Sequence, residues 1–502
     1  MRARKLALNT IAALLFEITS IICSFILPRL ILGNYGSEVN GLVSSITQFL
    51  SVIALLEFGV GAVLRSALYK PLAEGDDGQI SRIMLSGTRF FRRLANIFLV
   101  YIIGLIVLYP IISTSGFSFD YIAVLIAAMS LSSLAQYYFG ITNGILLAAD
   151  QRGYIHYTIQ ALTLAANTIM SAALIACGAS IQIVKLGTSL IFLARPLLLH
   201  LYVKRNYHIN WKITYDAEPI GQKWNGIAQH AAYVVLDSTD VIVLTAFSTF
   251  SNVSIYTVYH LVIYGVKTLF TSMTNGVQSL LGELWAKQES DKLRDFFAPF
   301  VWGMHAGVVF VFGCTAVLAV PFVRVYTSGI TDANYQVPLF AVLITLAHAM
   351  HCLRLPYHLM IMAGGHYRQT QNSHIVSAGM NVVVSIVAVI RWGLIGVAVG
   401  TLAAMLYQTV WMAWYDSREL VRWPFRNFLK QFAVDAATFA IAYSLTCRMP
   451  LSAVTYRAWV ILAIKCALRW LGVILVLNLL FYRRHMRKMM ELLLRRKKTN
   501  PL

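Results

Sequence analysis

The sequence predicts an all-α polytopic membrane protein with about fourteen transmembrane helices, on three observations. Hydrophobic residues make up 58% of the 502 and charged residues only 12%, a balance that cannot keep a globular surface wet. The apolar residues gather into fourteen stretches of about twenty, the length that crosses a hydrocarbon core as a helix. The loops between those stretches alternate basic and non-basic without a break, which is how membrane orientation is written into a sequence.

In chain order the stretches lie near 6–30, 42–64, 94–114, 119–140, 155–177, 180–203, 226–247, 252–280, 297–320, 337–363, 370–390, 392–415, 428–447 and 458–482. The opening Met1-Arg-Ala-Arg-Lys5 before an apolar run has the look of a signal peptide. No small-residue cleavage site follows, so the reading is an uncleaved first helix. The net charge of +20 raises nucleic acid as a partner. Its distribution points elsewhere: twenty-nine of the 41 Lys and Arg residues lie at the N-terminus, in the loops after even-numbered stretches and in the tail, with Lys430 at the edge of its stretch. Both termini are therefore expected in the cytoplasm.

The chain aligns weakly with itself at an offset of 214 to 216. Residues 145–154 lie against 359–368, and Asn167, Ser171 and Gly178 lie against Asn381, Ser385 and Gly393. Such a repeat with an even number of helices implies two parallel six-helix lobes, related by an axis along the membrane normal. The expected organisation is an N-terminal lobe over 1–203, a cytoplasmic linker over 204–225, a C-terminal lobe over 226–415, an additional two-helix unit over 416–482 and a basic cytoplasmic tail over 483–502. The small residues of Gly393-Leu-Ile-Gly396-Val-Ala-Val-Gly400-Thr401 form a face for close helix packing in lipid.

Ionisable residues inside the stretches carry the functional information, because a charge at the bilayer centre costs about 2.5–3.5 kcal/mol on insertion scales. Stretch seven places His230, Tyr233, Asp237 and Asp240 on one helical stripe, and stretch eight does so with Tyr256, His260, Tyr264 and Lys267. In stretch ten His348, His351, Arg354 and His358 share an arc of about 120°. The stripes predict a wet cavity; alternatively these groups satisfy one another and hold the bundle together, Asp237 or Asp240 pairing with Lys267. The N-terminal half offers Glu17, Arg29 after Pro28, and Glu57; Lys185 and Arg29 sit near span ends, where long side chains snorkel. Seven basic groups, Arg29, Lys185, Arg195, Lys267, Arg354, Lys465 and Arg469, face five acidic ones, Glu17, Glu57, Asp237, Asp240 and Asp435. A net positive interior suits an anionic ligand. Lys465 and Arg469, with Asp435 in the neighbouring span, either pair internally or line a groove for a lipid phosphate.

Enzymatic chemistry finds little footing. The six cysteines are scattered through apolar segments without zinc-ligand spacing. No Gly-rich phosphate loop is followed by Lys-Ser/Thr, and no outside loop is large. No catalytic residue, metal or cofactor is expected.

Several motifs resemble a known family. Pro28–Ser45 (PRLILGNYGSEVNGLVSS) is similar to the first-helix exit of polysaccharide exporters in the multidrug/oligosaccharidyl-lipid/polysaccharide exporter superfamily. Leu55–Arg65 (LLEFGVGAVLR), Asp237–Leu244 (DSTDVIVL) and Gly393–Thr401 (GLIGVAVGT) resemble their second, seventh and twelfth helices. The resemblance implies two six-helix lobes in a V that open alternately to the two sides of a bacterial plasma membrane and flip an undecaprenyl-diphosphate-linked oligosaccharide. Membrane lipids, that glycan and glycan polymerases or glycosyltransferases are the partners it implies. Lipid II flippases of the superfamily usually carry an adjacent Arg-Asp pair in the first helix, whereas Arg29 is followed by Leu30. Under this reading Arg29, Arg195, Lys267 and Arg354 hold the anionic head group, the aromatic and histidine stripes meet sugar rings, and Glu17, Glu57, Asp237 and Asp240 are candidate coupling sites. A cation-coupled multidrug or metabolite antiporter and a membrane enzyme of glycan assembly are the alternatives.

Overall fold

The computed structural model describes residues 2–53, 58–113, 116–214, 227–274 and 277–483. The described chain is helical throughout: α1 (Arg2–Ser51), α2 (Phe58–Glu74), α3 (Asp77–Ile112), α4 (Phe119–Ala135), α5 (Ile141–Ala149), α6 (Gly153–Ala176), α7 (Ile181–Asn206), α8 (Ile227–Phe247), α9 (Phe250–Thr274), α10 (Val277–Ala286), α11 (Ser290–Tyr326), α12 (Pro338–Ala363), α13 (Tyr367–Trp392), α14 (Leu394–Tyr415), α15 (Arg426–Thr446) and α16 (Tyr456–Phe481). Eleven of the described segments are long and apolar enough to cross a membrane. The other three expected crossings are the part of α1 beyond Gly36, the shorter apolar helix Ser238–Phe247 within α8, and α15, whose Arg426, Lys430 and Asp435 lower its hydropathy. Gly36 breaks α1 with φ 84° and ψ 176°, a conformation open only to a residue without Cβ. The protein is thus an all-α, multi-pass membrane protein.

The chain forms two compact units, Met1–Ser254 and Ile255–Leu502. In the first, hydrogen bonds gather the segments that the charge pattern assigns to one face. Asp150, in the α5–α6 turn, takes the Lys5 ammonium at 3.4 Å, the Arg152 guanidinium at 2.8 Å and the Tyr207 hydroxyl at 2.6 Å. Burial first, and then the bond to Asp150, push the Tyr207 phenol above its ordinary pKa, so it stays protonated and donates. Asn9 donates to Gln151 O and accepts from Tyr154 N, while Asn210 N donates to Ser81 Oγ at 2.9 Å. At the opposite end the Tyr35 hydroxyl donates to Ala179 O at 2.5 Å, tying the α1 break to the α6–α7 turn.

Beyond the break, α1 packs against α8 and the start of α9 through small and polar residues. Asn40 donates to Ser254 at 2.8 Å, Gln48 donates to Ser238 at 2.7 Å, and Ser45 and Thr245 share a bond of 2.6 Å. A Cβ on Gly41 would overlap the Phe250 carbonyl. This is the packing that apolar solvent favours, where close backbone approach and interhelical hydrogen bonds replace hydrophobic burial.

In the second unit the same logic recurs. Arg294 at the start of α11 donates to Val421 O at 3.0 Å, and His366 meets the Tyr415 hydroxyl at 2.8 Å, gathering the α10–α11, α12–α13 and α14–α15 connections. Gly396 and Gly400 bring α14 onto α13 so closely that a Cβ on either would overlap Ala388 or Ser385, as expected of that small-residue face. Helices α15 and α16 dock on α11 around the fully buried Trp470, whose indole N–H donates to Thr446 Oγ1 at 3.1 Å and whose ring fills the place of a Cβ on Gly313.

The residues aligned at the offset of 214 to 216 share local geometry. Ser171 donates to Asn167 Oδ1 at 3.3 Å, and Ser385 to Asn381 Oδ1 at 3.0 Å. Gln151 and Gly365 are both left-handed, with φ 58° and 74°, as are Gly178 and Gly393, with φ 72° and 51°.

Candidate substrate-binding site

The second unit brings two of the three predicted stripes together. On α9, Tyr256 stacks on His260 with centroids 5.4 Å apart, His260 meets Tyr264 at 5.3 Å, and the Lys267 ammonium sits 5.3 Å from the Tyr264 ring centre in a cation–π contact. His260 also meets His348 of α12 edge-on at 5.4 Å. Along α12, His348, His351 and Arg354 are each 5% exposed or less. Both rows extend about 15 Å at 1.5 Å per residue, and Lys267 lies within electrostatic reach of His348 and His351.

The donors and acceptors in this cluster are constrained. Arg354 has no acceptor to offer, so its contact of 2.8 Å with His351 Nδ1 makes that nitrogen the acceptor and leaves the ring proton on Nε2. Neither ring nitrogen of His348 and not Nδ1 of His358 has a hydrogen-bond partner among the described residues. Unpartnered buried polar atoms are costly in an apolar medium, and imidazole N–H donors beside one guanidinium are chemistry that an anion can use. Two residues absent from the sequence-based site extend it: His374 of α13 meets His358 edge-on at 5.9 Å, and Gln408 Nε2 of α14 lies 2.7 Å from His374 Nδ1. His374 and Gln408 within the expected spans 370–390 and 392–415 were the available signal.

In the first unit the Arg195 guanidinium lies over the Phe192 ring, 3.9 Å from its centre, and donates from Nε to Thr163 Oγ1 at 2.7 Å. Arg29 is half-buried one turn below Gly33, and Lys185 is 9% exposed near the start of α7. Glu17 is exposed on α1 among Leu14, Leu15 and Ile18, while Asp240 of α8 is 2% exposed. Glu57 and the side chains of His230, Tyr233 and Asp237 lie outside the described residues.

The third predicted set divides. Lys465 and Arg469 line a groove of about 420 Å³ between α15 and α16, joined by Arg448, and Arg469 donates to Leu445 O at 3.3 Å. Asp435 belongs to another site: its Oδ2 is 2.5 Å from Nδ1 of the fully buried His305 on α11, and Gln431 donates to its Oδ1 at 3.2 Å. An internal Asp435 pairing with Lys465 or Arg469 is therefore replaced by an α11–α15 pair. Among the described residues no cluster of His, Cys, Asp and Glu could hold a metal ion.

No protein-family model matches the sequence, and no curated protein does. Solved structures do. The lipid II flippase MurJ in an inward closed conformation is 12% identical, covers 94% of this chain and all of its own, and has a TM-score of 0.70. An inward-facing multidrug resistance MATE family transporter is 13% identical over 81% of this chain and 98% of its own, with a TM-score of 0.64. A transporter of the same superfamily from Pyrococcus furiosus, described as having a binding pocket of reversed polarity, is 13% identical over 82% and 95%, with a TM-score of 0.54. Across nearly its whole length, the chain has the fold shared by these flippases and transporters.

Proposed function

We propose that this protein belongs to the multidrug/oligosaccharidyl-lipid/polysaccharide exporter superfamily. On this reading it flips undecaprenyl-diphosphate-linked oligosaccharide repeat units across a bacterial plasma membrane, both termini cytoplasmic, by alternating access. The product is destined for capsule, exopolysaccharide or O-antigen, so glycosyltransferases precede it and a glycan polymerase follows. The carrying observation is the row of buried His348, His351 and Arg354 and partly buried His358 on α12, which meets the Tyr256–Lys267 row of α9 at His260. Cations and imidazole N–H groups match phosphate oxygens, and aromatic faces match sugar rings. Arg354 and Lys267 of the second unit, and Arg195 and Arg29 of the first, are the residues this reading assigns to the diphosphate or acidic sugars.

Transport outward follows the field. With the inside negative, two uncompensated negative charges moving out gain about 2.3 kcal/mol each per 100 mV. Glu17, Glu57, Asp237 and Asp240 are the residues at which a cation would couple. The Lys465–Arg469 groove takes a lipid phosphate from the surrounding bilayer, since two cations on a face that also exposes Ile461, Ile464 and Leu468 otherwise meet hydrocarbon.

Reconstitution into liposomes tests the reading. A fluorescent polyprenyl-diphosphate glycan should cross without ATP, faster with an inside-negative potential. Movement of a cationic dye on a sodium or proton gradient, with no lipid movement, would establish the antiporter reading instead.

A further inference from the structure

The first unit holds a second site that the flippase reading leaves unused. A cavity of about 680 Å³ opens where α3, residues Tyr138 and Phe139 between α4 and α5, α5 and α7 meet the first residues of the linker. That volume falls within the range of small-molecule sites. Its floor is polar and buried: Thr88, Thr142 and Asn143 are 7%, 6% and 2% exposed. Its rim is basic and aromatic, with Arg92, Lys204 and Trp211 exposed, and among the described residues no acidic side chain lines it.

Two features show that the floor is built. Residues Gln136–Gly140 form a single π-helical turn between α4 and α5, an insertion that breaks the regular helical ladder and recurs at functional sites. Asn143, one turn on, donates from Nδ2 to Phe139 O at 2.9 Å, and a carbonyl can only accept, which fixes the amide orientation. Asn143 Oδ1 is left without a partner among the described residues. The wall over this floor is held in place: the linker is tied down through Tyr207 to Asp150 and through Asn210 to Ser81.

From this geometry we infer that the cavity binds a glycosyl phosphate. Arg92 and Lys204 take the phosphate, Trp211 and Tyr138 pack on the sugar ring, and Asn143 Oδ1 accepts from a ring hydroxyl. The source is a free sugar phosphate or the head group of a lipid-linked one. The site stands on residues of the first unit alone, separate from the α9–α12 cluster.

Isothermal titration calorimetry of the full-length protein in nanodiscs tests this with glucose 1-phosphate, glucose, inorganic phosphate and a short-chain isoprenyl-phosphate glucose as probes. Glucose 1-phosphate should bind at least tenfold more tightly than glucose or phosphate. Arg92→Ala and Lys204→Ala, both at exposed positions that leave the fold intact, should each weaken it about tenfold. Trp211→Ala should weaken the sugar phosphate but not inorganic phosphate. Tighter binding of the isoprenyl probe identifies a lipid-linked ligand, and equal binding a soluble one. Equal affinity for phosphate and glucose 1-phosphate, or binding indifferent to both basic substitutions, overturns the inference. Absent binding with normal flipping sinks this site alone, whereas intact binding without flipping sinks the proposed transport alone.

Discussion

Replacing His305 with Ala should loosen the attachment of α15 to α11, and the size of the effect follows from what is left behind. Asp435 is 8% exposed and its Oδ2 has the His305 imidazole as its donor at 2.5 Å, with Gln431 serving Oδ1. Interhelical hydrogen bonds between neutral groups in membranes are worth about 0.6 kcal/mol on average and at most about 1.7. Stranding a buried carboxylate costs more, about 3–5 kcal/mol when one member of a buried pair is removed. The second term dominates here, because the carboxylate remains after the imidazole is gone. His305→Ala should therefore lower the melting midpoint of the detergent-solubilised protein by about 6 °C or more, at roughly 2–4 °C per kcal/mol for a unit of this size. Asp435→Asn in the same chain removes the stranded charge and should restore about half of the loss or more. Strictly additive effects of the two substitutions would refute a direct pair, and a melting midpoint unchanged by His305→Ala would refute the energetic argument.

Other consequences are equally open to measurement. Gly41→Val places a side chain against the Phe250 carbonyl, backbone that cannot step aside, and should destabilise the first unit by about 1–3 kcal/mol in a chemical melt; an unchanged midpoint would contradict that close approach. Asp150→Ala removes the shared partner of Lys5, Arg152 and Tyr207. Loss of a charged hydrogen bond of about 1.5–3 kcal/mol should speed tryptic cleavage at Lys204 or Arg205 by about tenfold or more, since cleavage follows local opening; cleavage at the native rate would show the linker to be held otherwise. Arg195→Lys keeps the charge but loses the Nε bond to Thr163 and the planar contact with Phe192, so it should slow flipping nearly as much as Arg195→Ala; full activity would reduce Arg195 to a point charge. Replacing Lys465 and Arg469 together with Ala should reduce the anionic phospholipid that copurifies, read by native mass spectrometry, and an unchanged lipid content would remove the groove from the proposal.

The helices were legible because hydrocarbon thickness imposes their length, and each of the fourteen expected stretches overlaps a helix. Their ends were less so. Helix α3 begins at Asp77, seventeen residues before the stretch read from hydropathy, because Asp76 caps it by accepting from Gln79 N at 2.9 Å and its first turns carry Arg82, Arg89, Arg92 and Arg93 outside the apolar run. The α9 and α12 stripes were readable, since helical phase alone places Tyr256, His260, Tyr264 and Lys267 on one face. What phase cannot supply is the partner across the bundle. The His305–Asp435 contact spans 130 residues, and His305 stands in an otherwise apolar run with no polar partner near it in sequence. The cavity above Asn143 was hidden for a different reason. It depends on a π-helical turn and on a linker folding back, neither of which leaves a periodic trace.

On the proposed function, the α12 row handles the anionic head of a lipid-linked glycan. Its most direct test compares the wild type with Arg354→Gln in liposomes carrying equal amounts of folded protein, following a fluorescent polyprenyl-diphosphate oligosaccharide with and without an inside-negative potential. The wild type should show potential-accelerated flipping, and the variant should lose tenfold or more. Unchanged flipping by Arg354→Gln would contradict the assignment of the site, and no flipping of any diphosphate-linked glycan by the wild type would contradict the function itself.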